Sequence, residues 1–293
     1  MTAVRETPGE VDGDGTILDR GRAAMRVPVA LLRELVDFLA IQGPGQSPQP
    51  PASFPPNLLS ADVLDPVVID LIKPITNASL KIEIAIRMGD DSSAIAIWAT
   101  PTNAVLCTRL DSRFFDISGV TVSRLPDVLA ETVVLRRPRF TAPTAIAVPS
   151  ELMTEADRQR EDPAKAREVL ESGRDAFMND LTSESIDYLV AFQAATTRRW
   201  RISTAWSTDR GYSTAELRGL DAGPYGQWTV QMAEVNETAS MLFTPKGDGE
   251  MLAEFREVLP RYWINTALRS QGVEVLPTIP TNTDPPLASD PAA

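Results

Sequence analysis

The chain has no histidine and a single cysteine, Cys107. The first absence removes the commonest general base, the commonest metal ligand and every Ser–His or Cys–His catalytic pair. The second excludes an internal disulfide. Cys107 sits in the apolar run from Val105 to Leu110 and reads as a small core residue rather than a nucleophile. Positive charge is scarce: 28 Lys and Arg against 40 Asp and Glu leave a net charge of -12. A nucleic-acid or anionic membrane surface is disfavoured, because phosphates need a basic partner. No apolar run reaches the length of a membrane span, and the acidic start shows no signal-type apolar segment, so a cytoplasmic protein is expected. Phosphate-loop, G-x-G-x-x-G, C-x-x-C and G-x-S-x-G motifs are missing too.

What the chain does have is alternation. From Leu80 to Met88, apolar residues at Leu80, Ile82, Ile84, Ile86 and Met88 alternate with Lys81, Glu83 and Arg87, the period of a half-buried strand. Turn residues Gly89-Asp90-Asp91 and Pro101-Thr102-Asn103 separate this run from Ala94–Ala99 and Val105–Leu110, and Phe114–Val122 makes a fourth strand. A helix opening on Leu125-Pro126 follows. The same order returns later: strands at Arg199–Trp206, Thr214–Leu220, Trp228–Met232 and Ser240–Thr244, then a helix carrying Met251, Leu252, Phe255, Val258 and Leu259. The expected fold class is therefore α+β, with two quasi-symmetric antiparallel four-stranded meanders, each covered by helices.

The remaining chain is assigned by composition. Residues 1–24 read as a mobile arm. Residues 25–149 form a first α+β half, with helices at Val27–Ala40 and from a Ser60 cap to about Ile72, separated by a proline-rich loop, 42–56. Residues 150–268 combine a charged helical insert, capped at Ser150 and again at Thr182 or Ser183, with the second half. Residues 269–293, rich in proline and poor in large apolar side chains, read as a disordered tail.

Candidate chemistry is thin. Asp90 and Asp91 at a loop tip read as a solvated turn before they read as a metal or acid–base pair. The strand Ala94–Ala99 is apolar on both faces: one face can meet helices, and the other must meet more of this chain or a partner.

The order of elements, with Leu125-Pro126, Ala145-Ile-Ala-Val-Pro149, the strand–turn–strand Leu220-Asp-Ala-Gly-Pro-Tyr-Gly-Gln-Trp228 and a last helix ending in Leu259-Pro260, resembles the EspG family, the cytosolic chaperones of type VII (ESX) secretion. The resemblance spans roughly residues 25–265. The chain departs from the family pattern at Gln227, where arginine is usual, and at Ala222, where threonine is. The resemblance implies a chaperone without catalytic residues or cofactors that shields the helical tip of a secreted PE–PPE heterodimer. It also implies that the loop between the first two meander strands grips the partner. On that basis Met88, Asp90, Asp91, Trp98, Tyr212 and Trp228 are the candidate partner-binding residues, with Trp98 as anchor and the acidic pair steering a basic partner. Tyr212-Ser-Thr-Ala-Glu216 matches a type VII export signal but lies in an expected strand, without the Trp-x-Gly turn of cargo. Two other classes stay open: a carboxylate-dependent enzyme on an α+β fold, and a scaffolding subunit whose sheet edges pair in a homodimer.

Overall fold

Alternation decides the centre of the molecule: Leu80, Ile82, Ile84 and Ile86 are buried, while Lys81, Glu83 and Arg87 between and beside them are exposed. The computed structural model describes residues 10–11, 15–41, 49–133, 145–177, 181–208, 211–235 and 237–260. In chain order these form β1 (Glu10–Val11), β2 (Ile17–Asp19), β3 (Ala24–Pro28) and α1 (Val29–Ala40). A short hairpin of β4 (Leu59–Ser60) and β5 (Val63–Leu64) precedes α2 (Pro66–Thr76). Then come β6 (Leu80–Met88), β7 (Asp91–Ala99), β8 (Ala104–Arg109), β9 (Phe114–Val120) and α3 (Leu125–Val133). The helical insert follows β10 (Ile146–Pro149) as α4 (Ser150–Arg158), α5 (Pro163–Phe177) and α6 (Ser183–Ala195). The chain continues through β11 (Arg198–Thr208), β12 (Gly211–Asp221), β13 (Gln227–Val235) and β14 (Thr238–Lys246) to α7 (Asp248–Glu257).

The fold is mixed α+β around one large antiparallel sheet. Among the described residues it has 12 strands in the order β1-β2-β3-β9-β8-β7-β6-β11-β12-β13-β14-β10. The two sets of four strands expected from the sequence do not stand as separate sheets. They meet where β6 pairs with β11, in a register that sets Ile84 opposite Ile202 and Ile86 opposite Trp200. The physical reason is that both strands carry their large apolar residues on the same face. Joining them buries those residues on one core and removes two exposed edges.

That face is covered by α3 and α7 together. Leu125, Leu129 and Val133 share a cluster with Met251, Phe255, Val258 and Leu259, packed on Leu80, Ile82, Ile84, Trp200 and Ile202. The opposite face carries two separate helical layers. Leu31 and Leu35 of α1 and Val68, Leu71 and Ile72 of α2 cover Val105, Cys107 and Ile117. The insert covers the other half, with Met153, Ala156, Leu170, Ile186, Leu189 and Phe192 on Leu220, Trp228 and Phe243. Among the described residues, a band of sheet between these layers is left without a helix.

Three local expectations change. Within the stretch expected as a mobile arm, residues 1–24, β2 joins the sheet and Leu18 is buried; β3, which starts at the arm's last residue, links β2 to β9. Their apolar runs are too short to show a period. The second helix begins at Pro66 and not after Ser60. Asp65 caps it by accepting from the Val67 amide at 2.9 Å, and proline at the first helical position presets the backbone. Ser150 belongs to α4, whose N-cap is Pro149 with no side-chain bond, whereas Thr182 does cap α6. The expected disordered tail, Tyr262–Leu268 and residues 42–48 of the proline-rich loop lie outside the described residues. Later in that loop Phe54 is buried edge-on against Phe38, their ring centres 5.4 Å apart.

A cleft across the uncovered band of the sheet

Residues directly opposite in an antiparallel sheet share a face. One such row runs Ala94, Ala85, Arg201, Arg218, Val230, Phe243 and Ile146 across seven strands. The next runs Ser92, Arg87, Arg199, Leu220 and Trp228. Apart from their end members Ile146 and Trp228, these two rows floor a cleft of about 940 Å³ between the insert and the ends of β7 and β8. Ala85 and Ala94 line one end with small side chains. Phe192 of α6, Met241 and Phe243 make the other end apolar, and Met153, Thr154 and Asp157 of α4 form a wall.

The floor is cationic in its middle. Arg87 stands directly opposite Arg199, and Arg201 directly opposite Arg218, on three neighbouring strands. Asp157 takes both terminal nitrogens of Arg199, one of them at 2.7 Å, and Glu216 accepts from Arg218 Nε at 2.5 Å. Among the described residues, Arg199 Nε is buried without an acceptor. Arg109 at the rim donates from Nε to the Asp111 carbonyl at 2.9 Å. Asp111 is held below the usual carboxylate range, first by accepting from the backbone amides of Arg113 and Phe114. A smaller polar hollow of about 190 Å³ continues the cleft past Asp157 and is lined by Arg87, Arg160, Arg198 and Arg199.

The six residues expected at a binding surface fall into three groups. Met88, Asp90 and Asp91 form the exposed β6–β7 hairpin tip beside the cleft, and Arg198 Nη2 lies 3.6 Å from the Met88 sulfur. Trp98 is half-buried and packs on the core under α1 and α2. It shares a hollow of about 290 Å³ with Tyr212, which is 85% exposed at the start of β12. Trp228 offers no face to a partner. It is 1% exposed, packed at 5.0 Å between ring centres on Phe192, and its indole nitrogen donates to the Tyr225 carbonyl.

The arginine floor was missed. Its signal was available as Arg199-Trp200-Arg201, a charged pair at strand spacing around a buried aromatic, but which strand would oppose Arg201 is not written locally. Among the described residues, no group of three or more His, Cys, Asp or Glu is placed to hold a metal ion. No helix there is long and apolar enough to cross a membrane.

No protein-family model and no curated protein matches the sequence. Among solved structures, the chain is similar in fold to the Mycobacterium tuberculosis type VII secretion system chaperone EspG5, solved in complex with the PE25-PPE41 dimer. The TM-score is 0.56 at 14% sequence identity, covering 81% of this chain and 97% of that one.

Proposed function

We propose that the chain is a chaperone of type VII secretion that acts in the cytoplasm. It would hold the helical tip of a PE–PPE-type heterodimer in the cleft and keep that apolar end from aggregating. The observation that carries this reading is the uncovered band of sheet: a wide cleft with an apolar end, on a fold shared with a chaperone solved on such a dimer. Four further features support it. The cleft is open rather than closed around a reacting centre. Met88 at its rim is exposed and unbranched, fitted to adapt to an apolar partner. Of its two carboxylates, Asp157 is engaged by Arg199. Asp111 is held below the usual carboxylate range by backbone amides, which does not suit it to general acid work.

The test is co-expression of the chain with PE–PPE gene pairs of its own organism. Under this reading at least one pair is recovered as a stable ternary complex on size exclusion, and that pair expressed alone precipitates or associates. If every pair elutes separately from the chain, the reading fails.

A further inference from the structure

The cleft of a strongly acidic chain is lined with arginines. Five line it, Arg87, Arg109, Arg199, Arg201 and Arg218, against two carboxylates, Asp111 and Asp157. The adjoining hollow adds Arg160 and Arg198 and no further acid. Four of the five belong to two like-charged pairs set directly opposite each other on β6, β11 and β12. Direct opposition of like charges in a sheet is destabilising. Among the described residues a carboxylate relieves the repulsion on one side of each pair, Asp157 on Arg199 and Glu216 on Arg218, while Arg87 Nε donates to the Gly89 carbonyl at 3.1 Å. Among the described residues, Arg87 and Arg201 have no carboxylate within ion-pair distance, and neither do Arg109 and Arg160. Both Arg87 and Arg201 are exposed. A bare sheet face has no structural need for this arrangement. Lysine, serine or threonine would solvate it as well, without opposed guanidinium groups.

From this floor we infer that the segment seated in the cleft is acidic around its apolar tip. Its carboxylates complete the two arginine pairs, while its apolar residues meet the half-buried side chains of Val230 and Met241 at the apolar end. Guanidinium groups in fixed register on strands favour such a partner because their planar donors match carboxylates two at a time. The inference rests on the chaperone reading for the identity of the occupant and adds the charge of the surface that is recognised. Selection would then come from the arginine floor, and anchoring from the apolar end.

The test uses the PE–PPE heterodimer recovered in the ternary complex, with the full chain carrying Arg87→Glu and Arg201→Glu together. Arg256→Glu, an exposed site on α7 over the other face, controls for the same substitution away from the cleft, at half the charge change of the double variant. The double variant should melt like wild type but associate at least about tenfold more slowly at low salt. The deficit should shrink as salt shortens the screening length. The Arg256→Glu control should associate at close to the wild-type rate, and Lys substitutions at acidic positions of the partner's tip should restore binding to the double variant. Unchanged association of the double variant, or an equal effect of Arg256→Glu, overturns this inference and leaves the chaperone reading standing. If no PE–PPE pair binds the wild-type chain, both fall together.

Discussion

The indole of Trp200 lies across Gly219, its direct partner on the neighbouring strand. A Cβ built on Gly219 would fall 2.6 Å from both Cε2 and Cη2 of that ring. Trp200 cannot yield. It is 3% exposed and packs edge-on against Phe255 of α7. Gly219→Ala should therefore destabilise the protein by about 1–3 kcal/mol, the range for overpacking a filled core. Gly89→Ala is the useful contrast. That residue has φ +60° and open space around it, so only backbone strain of about 1 kcal/mol is expected. Urea denaturation of both variants checks the order. A Gly219→Ala protein as stable as wild type would show that the ring is free to move.

Cys107 gives a pH signature. It is 3% exposed beneath α1 and α2, and burial, with the charge of Asp116 adding, pushes its thiol from 9.0 up to about 12. The unfolded chain releases this proton near pH 9, whereas the native state holds it to about pH 12. The thiol's contribution to stability is therefore full below about pH 9 and is lost between there and pH 12. Wild type should lose stability over that window relative to Cys107→Ala, read from denaturant melts at stepped pH. A thiol reagent at pH 8 should label the native protein only as fast as it opens. Immediate labelling without denaturant would contradict the burial.

Local periodicity made much of the fold readable. The apolar alternation of Leu80–Met88 and Arg199–Trp206, and the helix start at Leu125-Pro126, depend on neighbours in sequence. The join of β6 to β11 did not show, because nothing local says which strand a half-buried edge will choose. Trp228 illustrates the same limit in the site. A tryptophan on an alternating strand reads alike whether its face meets solvent or Phe192 and Tyr188, and only the position of α6 decides. The charge of the cleft was illegible for a further reason. The net charge is a sum over the surface, and the opposed arginines are a local exception to it.

The aromatic candidates should separate by stability. Trp228→Ala empties a filled core position and should cost about 3–5 kcal/mol. Trp98 is half-buried, so its alanine variant should cost less, about 2 kcal/mol. Tyr212, largely exposed, should change stability by no more than about 0.5 kcal/mol. Any loss of partner affinity in Tyr212→Ala is then a loss of contact and not of fold. Melts of the three variants beside binding of the PE–PPE pair settle the assignment. If Tyr212→Ala binds like wild type, the hollow it shares with Trp98 lies outside the interface.

The acidic residues beside the cleft offer a test of the sign of recognition. Asp90 and Asp91 stand exposed on the β6–β7 turn, and the first expectation is that they steer a basic partner. The arginine floor calls for the opposite. For an acidic tip, these two charges oppose approach, and Asp157 competes with the partner for Arg199. Neutralising Asp90 and Asp91 to asparagine should then speed association severalfold at low salt and leave stability unchanged, since both are solvated. Asp157→Asn should also speed association but weaken the fold. Its pair with Arg199 is two-pronged, yet the side chains are 30% and 39% exposed, so solvent screening holds the loss to about 1 kcal/mol. Stopped-flow association at two salt concentrations, with denaturant melts of the same proteins, reads both quantities. Slower association in Asp90→Asn/Asp91→Asn would restore the basic partner and reverse the charge assigned to the docking segment. Slower association in Asp157→Asn alone would mean that this carboxylate orients Arg199 for the partner rather than competing with it.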